Sequence, residues 1–599
     1  MPFVTADSQQ SQYDVIVVGS GAGGGQSAYT LCMDGAKVLM LEAGRNYSPT
    51  ESSMFRTPDL APLAGVGTPD KPSGFFDATV DGGWNVPGEP YVRETEEDAG
   101  RFEWWRARML GGRTNHWGRI SLRNGPYDFK PRRRDGLGFD WPIDYADVAP
   151  YYDKVELLVG VYGTNEGLEN TPNSSPGCLL PPPKPIVSDY LVRERGKRLG
   201  IPAIPGHRAV LTRALDYKRS PARLHPGNAK AQKILAEDMR SRTPCLWATP
   251  CGYGCAVRAN YQSTTVHLPP ALKTGNLDIT TDAMVYEVTL GKDGRADGVN
   301  FIDRTTGKQR HASARVVILA ASACETVRIL LNSRSPQFPG GLANSSGKLG
   351  RYLMDTVGST VGGQIPLLES LPPLNEDAAG GHQLYVPWWL YQEQLAGKLG
   401  FARGYHIEFG GGKRMPGYGT AAGIEWLTGG SYGATFKQDV RRYYGSFVWF
   451  DGRGEMIPNE QSYCEIDSKV KDKWGIPVLR FHWQWSEHER KQAAHMQRTF
   501  TDLIEAMGGK TRKPAETDGA KAIEPGGSII HEVGGAIMGA DPRSSVVNSW
   551  GQTWDVPNLF VADGAVFASN ADKNPTLTIM ALAWRASDHI LERMKRKEL

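Results

Sequence analysis

Hydrophobic residues along this chain fall into short unbroken runs near its ends and alternating or helical spacings between them. Residues 15–18 (Val-Ile-Val-Val) and 37–42 (Lys-Val-Leu-Met-Leu-Glu) are almost purely apolar, the pattern of strands covered on both faces of a parallel sheet. Residues 26–34 between them predict a helix. Four short strands follow at 277–280, 284–290, 298–304 and 314–319, with turn signals at Asp293-Gly294 and Thr306-Gly307, so a β-meander is expected, then a helix through Leu331. From about 360 to 525 the pattern changes to alternation rich in Tyr, Trp and Gly, as over 383–390 and 445–450. That predicts an antiparallel sheet. Residues 487–507 carry the spacing of an amphipathic helix, and shorter helices are expected near Asp147 and over 192–199. The last helix should open with Pro575 in its first position and Asn574 as N-cap.

The first strand runs into Gly19-Ser20-Gly21-Ala22-Gly23-Gly24. In such a motif Gly19 makes the tight turn, Gly21 lets backbone approach a pyrophosphate, and Gly24 lets the helix pack closely. The N-terminal N–H groups of that helix would face the phosphates. The second strand ends in Glu42, eighteen residues after Gly24, placed to accept hydrogen bonds from ribose hydroxyls. Strand, glycines, helix, strand and acid together predict a dinucleotide site on a doubly wound α/β domain. A second paired glycine, Gly111-Gly112, followed by Asn115, His116 and Trp117, again permits close backbone approach to a ligand.

Composition narrows the class. At 599 residues the chain needs more than one structural domain. A net charge of +3 with both signs scattered gives no nucleic-acid-binding face, and Arg132-Arg133-Arg134 is expected as a solvated turn. The stretch 47–100, anchored by Phe75-Phe76 and Trp84, reads as a lid or a wrap over the cofactor, and 181–185 as a stiff proline connector. No apolar run is long enough to span a bilayer, and the opening Met1-Pro-Phe-Val-Thr-Ala-Asp lacks the charged and apolar regions of a secretory signal. Taken alone, that implies a soluble protein folded in the cytoplasm.

Seven cysteines form no disulfide framework, but Cys245, Cys251 and Cys255 lie within eleven residues. Three thiolates are too few for a closed zinc site, and too few for a four-iron cluster unless a ligand comes from elsewhere. They suit a three-iron cluster better. Three reduced thiols in a loop remain the plainer alternative.

The sequence Glu42-Ala43-Gly44 is similar to FAD-binding flavoproteins, which favours FAD over NAD. Gly111-Gly112 through Gly118, the segment Ala320-Ala321-Ser322 to Leu330-Leu331, His531-Glu532-Val-Gly534-Gly535 and Asn574-Pro575 together resemble the glucose–methanol–choline (GMC) oxidoreductases. Ser322 stands where the family signature has glycine. The resemblance implies a GMC-type FAD-binding domain over 10–50, 100–125, 240–358 and 528–599, and a substrate-binding domain and lid over 126–239 and 359–527. It implies that His531 takes the alcohol proton while hydride passes to flavin N5, and that Asn574 orients the alcohol. Asp563, Pro575 and Thr576 would contact the cofactor, and the positive end of the last helix would favour its reduced anion. In some relatives, pyranose oxidases among them, a histidine in a Thr-His-Trp context is bonded to the flavin; His116 fits, although Asn115 replaces the usual hydroxyl residue.

The cysteine segment resembles that of bacterial fructose, gluconate and glucose dehydrogenase flavoproteins, where an iron–sulfur cluster passes electrons to a cytochrome. Within that branch glucoside 3-dehydrogenases are most similar, so the resemblance implies a sugar or glycoside substrate oxidised at C3. It further implies a small escort subunit with a twin-arginine signal, a c-type cytochrome acceptor and a periplasmic location reached through the escort. An oxidase making hydrogen peroxide, a flavin-dependent lyase and a non-catalytic FAD-binding subunit stay open as alternatives.

Overall fold

Apolar runs on both sides of the glycine loop form the middle of a seven-stranded sheet. The computed structural model describes residues 3–46, 82–97, 100–247, 251, 255, 257–372, 383–412 and 419–599. Tyr13–Val18 lies between Val38–Leu41 and the second half of Gln309–Leu319, parallel to both. Leu277–Thr280 and Leu559–Val561 extend the parallel set on either side. Val15, Ile16, Val17, Val38, Leu39 and Met40 have no exposed surface, which is why these strands carry no alternation. The following helix, Ala22–Met33, begins inside the glycine motif rather than after it. The closing helix, Thr576–Lys595, lies against it, with the Tyr29 and Trp584 rings edge-on at 5.8 Å.

The expected four-strand meander is instead three-stranded. Leu277–Thr280 leaves it for the parallel sheet, because Leu277 and Ile279 are buried there beside Val38–Leu41. Ala283–Leu290, Ala296–Asp303 and the first half of Gln309–Leu319 make the antiparallel part. Gln309–Leu319 therefore belongs to both sets: Gln309 to Ser313 pair with Gly298 to Ile302, and from Ala314 onward the strand pairs with Tyr13–Val18.

The region after 357 builds a six-stranded sheet that includes Val357–Gln364, Leu384–Val386, Tyr405–Gly411 and Phe447–Gly454, all antiparallel to their neighbours. The helix Glu487–Ala506 packs on it, started by Ser486, whose hydroxyl accepts from the His488 N–H. Trp388 is 3% exposed with its ring 4.9 Å from Tyr405, a core aromatic rather than a sugar platform. The helices expected near Asp147 and over 192–199 are Tyr145–Val159 and Val187–Arg198.

Two further expectations change. Arg132 and Arg133 are exposed, but Arg134 turns inward from the short helix Pro131–Asp135 and meets the buried Glu455 carboxylate at 2.9 Å. Of the wrap over 47–100, residues 47–81, including Phe75-Phe76, lie outside the described residues. Its described end contributes Val92–Arg93, parallel to Pro477–His482. Among the described residues no helix is long and apolar enough to cross a membrane.

Ser322 shows what the departure from the family's glycine costs. It sits at φ 85°, ψ 156°, a region essentially reserved for glycine, while its N–H donates to Asp563 Oδ2 at 3.1 Å. Ser322→Gly keeps that N–H and removes the strained Cβ. We expect the variant to be more stable by about 1 kcal/mol, the relieved strain exceeding glycine's extra unfolded-state entropy. A urea midpoint equal to or below that of the unmodified chain would refute this.

Candidate active site

A cavity of about 520 Å³ opens between the two sheets. Its lining includes Gly19, Ser20, Gly21 and Glu42 from the parallel-sheet side and Glu408, Arg453, His531 and Asn574. The glycine loop fits a pyrophosphate on its own geometry. A Cβ on Gly19, at φ 94°, would stand 2.4 Å from the Ala320 carbonyl oxygen, and one on Gly24 would stand 1.9 Å from that of Gly19. A Cβ on Gly21 would meet nothing within 4 Å, because it would occupy the cavity itself. The N-terminus of Ala22–Met33 points into this space.

Glu42 lines the cavity, yet its carboxylate is also engaged by the loop. Oε2 accepts from the Ser20 N–H (3.1 Å) and hydroxyl (2.5 Å), and Oε1 from the Gly44 N–H (2.8 Å). Burial raises its pKa, against those donors and Arg108. Gly112 and His116 line the wall; Gly111 and Asn115 stand behind it. Gly111 donates its N–H to Ser20 Oγ at 2.8 Å, and Asn115 Nδ2 donates to the Leu110 carbonyl at 2.9 Å. His116 stands edge-on to Trp105 with Nε2 3.3 Å from Met109 Sδ.

Asp563 also lines the cavity while tying three segments together. It accepts from Thr326 Oγ1 at 2.6 Å and from the N–H groups of Ser322 and Ala565 at 3.1 and 2.9 Å. Burial lifts its pKa to about 6 in spite of them. Pro575 and Thr576 contribute lining at the start of the last helix. Asn574 does not cap that helix: Pro575 holds the cap position. The Asn574 amide turns away from it, its Nδ2 donating to Glu408 Oε1 at 3.2 Å and lying 3.4 Å from His531 Nε2.

His531 is fixed from both sides. Its backbone N–H donates to Asp355 Oδ1 at 2.9 Å, and its Nδ1 lies 3.1 Å from Thr356 Oγ1. Ile530, just before it, holds φ 64°, a left-handed conformation that aims the following residue. Burial, then Arg453, pushes the imidazole pKa down to about 3, so the ring is neutral at ordinary pH. A carboxylate only accepts, so Glu408 fixes the Asn574 amide with its nitrogen toward both neighbours. That makes His531 Nε2 the unprotonated, accepting nitrogen. Arg113 contacts Glu532 Oε1 at 2.6 Å, and burial and Glu532 lift Asp355 to about 7.

Cys251 lies on the edge of the same cavity, near Trp117 and Arg208. Cys245 Sγ accepts from the Trp247 N–H at 3.3 Å, and Cys255 Sγ from the Ala259 N–H at 3.2 Å. Burial pushes the Cys245 thiol up to about 12, and the nearness of Cys251 and Cys255 adds to this. Residues 252–254, between Cys251 and Cys255, lie outside the described residues.

Thr356, Asp355, Glu408 and Arg453 were not singled out by sequence reasoning. The signal for Glu408 was the alternation His406-Ile-Glu408-Phe, which puts acid and histidine on one face of a strand otherwise apolar.

A doubly wound sheet whose cavity is lined by a pyrophosphate-fitting glycine loop, a neutral histidine and an asparagine suits a dinucleotide-dependent oxidoreductase. Residues 225–358 and 458–583 each match a family model described as GMC oxidoreductase. Both halves of the GMC oxidoreductase description are thus matched by this chain. It is 29% identical over 596 residues to 2-methyl-1,2-propanediol dehydrogenase of Mycolicibacterium austroafricanum, covering 97% of this chain and 96% of that one. It is 28% identical over 605 residues to the fructose dehydrogenase large subunit of Gluconobacter japonicus, covering 97% and 98%. A solved formate oxidase variant from Aspergillus oryzae, 14% identical, superposes with a TM-score of 0.63 over 99% of this chain and 100% of that one, a likeness of fold.

Proposed function

We propose that this protein oxidises a secondary alcohol of a sugar or glycoside, with C3 of a glucoside as the favoured position. The observation that carries it is the pairing of His531 Nε2 with Asn574 Nδ2, 3.4 Å apart on the wall of a cavity that begins at a phosphate-cradling loop. FAD fits there, held by Gly19, Gly21, Glu42, Gly112, Asp563, Pro575 and Thr576, with Gly24, Gly111 and Asn115 shaping the loops from behind. Bound there, it supplies the hydride acceptor. His531 Nε2 takes the hydroxyl proton as general base, and Asn574 Nδ2 donates to the alcohol oxygen and holds it in place. His116 is the candidate for a covalent flavin link.

Cys245, Cys251 and Cys255 fit a three-iron cluster, because backbone N–H groups already point at two of the sulfurs and the third borders the flavin cavity. Such a cluster supplies one-electron transfer toward a c-type cytochrome. The same reading places the enzyme in the periplasm with an escort subunit bearing the export signal. Similarity to a fructose dehydrogenase subunit supports a dehydrogenase; similarity to paromamine 6'-oxidase of Streptomyces fradiae favours the second reading, an oxidase.

Iron, acid-labile sulfide and flavin on anaerobically purified protein, with an EPR spectrum, separate the two. About three irons per flavin with the signal of an oxidised three-iron cluster is the expected result. Flavin without iron, together with peroxide formation from a glucoside, would replace the dehydrogenase by the oxidase. Acid precipitation that leaves flavin on the pellet supports the His116 link, and identification of the keto sugar by NMR checks the carbon.

A further inference from the structure

Several buried arginines of this chain meet a carboxylate. Arg108 reaches Glu89 and Glu325 at 2.8 and 2.9 Å, Arg123 reaches Glu156 at 2.6 Å, and Arg328 reaches Asp472 at 2.7 Å. Around the three clustered cysteines the pattern is different. Arg119, Arg208 and Arg242 are 0%, 2% and 4% exposed. Among the described residues none of the three guanidiniums is bonded to a carboxylate. Arg119 donates only to carbonyls, those of Thr114, Asn115, Trp117 and Tyr261, at 2.5–3.3 Å. Arg242 donates to the carbonyls of Leu158, Val159 and Arg258, while Asp238, which acts on it from farther off, is bonded to Arg258 Nη2 at 2.8 Å. The Arg208 guanidinium makes no hydrogen bond or ion pair among the described residues, and Arg208 lines the cavity as Cys251 does.

Backbone weaves these residues onto the cysteine segment. The Ala209 N–H donates to the Arg119 carbonyl, the Leu211 N–H to that of Ala259, and the Cys245 N–H to that of Leu211, each at 2.8 Å. Burial pulls the Arg119 pKa down to about 10, and the groups that work against this are Cys251 and then Cys255. Two fully buried groups, Arg119 and Tyr162, feel Arg208 and Cys251 together. The segment 245–261 contains no Asp or Glu. A buried guanidinium without a counter-charge is costly, and here three are gathered in one place. Neutral thiols give them no counter-charge. Thiolates bound to a metal–sulfur group do, and each electron that group receives adds a further negative charge.

We propose that Arg119, Arg208 and Arg242 are the counter-charge of the metal–sulfur group held by Cys245, Cys251 and Cys255, and that they favour its reduced form so that electrons leave the flavin for it. This rests on the cluster proposed above. The arginines are positioning residues: they ligate nothing and exchange neither protons nor electrons. One electron at a time leaves the reduced flavin and adds to the cluster, where fixed cations in a dry surrounding lower its energy. The four carbonyl bonds of Arg119 also tie residues 114–117 to Tyr261, so that side chain serves two purposes. Arg208 has no such bonds, which leaves its charge as what it contributes.

The test uses the full chain with flavin and iron, purified without oxygen, and follows the cluster by EPR and the flavin by absorbance through one redox titration. Arg208→Met should lower the equilibrium constant for moving one electron from flavin to cluster about tenfold, a fall of about 59 mV in the cluster midpoint. Arg208→Lys, which keeps the charge, should stay within about threefold of the unmodified protein. Arg208→Gln carries the test if the methionine variant does not fold. Where the uncharged variant folds but loses its iron, iron and acid-labile sulfide per flavin replace the midpoint. Loss there with retention in Arg208→Lys supports the proposal, and equal loss in both overturns it. A midpoint unchanged or raised without the charge, or an equal fall in Arg208→Lys, overturns it while the cluster itself stands. Unmodified protein that holds flavin and no iron overturns both readings.

Discussion

Replacing His531 with alanine should slow anaerobic flavin reduction by a saturating alcohol donor by about 10²–10⁴-fold, the usual worth of a positioned general base. The ring is poised for that role before any substrate arrives. Thr356 Oγ1 lies 3.1 Å from Nδ1 and Asn574 Nδ2 3.4 Å from Nε2, so the nitrogen facing the cavity keeps its lone pair. Burial and Arg453 hold the pKa near 3, so no acid limb from this group should appear above about pH 4. Flavin content of the variant is measured alongside, so that lost chemistry is separated from lost cofactor. A variant retaining more than a tenth of the parent rate with its flavin bound would remove His531 from the chemistry.

The largest loss of stability is expected at Lys573. Its ammonium lies 3.1 Å from Asp128 Oδ2 and 2.5 Å from Asp572 Oδ1, and the carboxylates of Asp128, Glu455 and Asp572 lie within 4.8 Å of one another, all buried. Burial works against the ammonium, but Asp128 and then Asp572 more than offset it, and its pKa stands well above the ordinary value. Lys573→Met leaves those carboxylates facing one another, with Arg134 and Arg403 near Glu455 but no cation bonded to Asp128 or Asp572 among the described contacts. We expect a cost of about 3–5 kcal/mol, the range for breaking a buried ion pair from one side.

The pH dependence has a definite sign. Burial already lifts Asp128 to about 6 with Lys573 present, so its folded pKa lies above the unfolded value. Stability from such a group is present at low pH and lost as pH rises through the folded pKa. In the variant that pKa rises further, and the deficit should be widest above pH 7 and shrink toward pH 5. Thermal midpoints within a degree of the parent across pH 5–8 would contradict this account.

Local chemistry explains what could be read from the chain alone. The glycine loop, the buried strands beside it and the His531 and Asn574 segments are legible because each is a contiguous run whose residues do related work. The strand at 277–280 was misplaced into the meander because a short run with Leu277 and Ile279 has the same appearance in either sheet. Asn574 looked like a helix cap because its neighbour is Pro575; only the carboxylate of Glu408, far away in sequence, shows where the amide points. The ion cluster around Lys573 was illegible for the same reason. Its members come from residues 128, 455, 572 and 573, and no local spacing connects them. Arg134 likewise looked solvated until Glu455 was placed beside it.

The strand Gln309–Leu319 bears on how the protein comes off the ribosome. Its Val317 to Leu319 segment pairs with Leu559 to Val561, and the helix built on the glycine loop packs against Thr576–Lys595. These contacts join segments hundreds of residues apart, so their closure is slow compared with local pairing. Until those segments dock, the parallel sheet keeps an apolar edge and the glycine loop lacks its Asp563 and Pro575 side. The cradle for the cofactor is thus complete only once residues 559–579 have joined the sheet and the glycine loop.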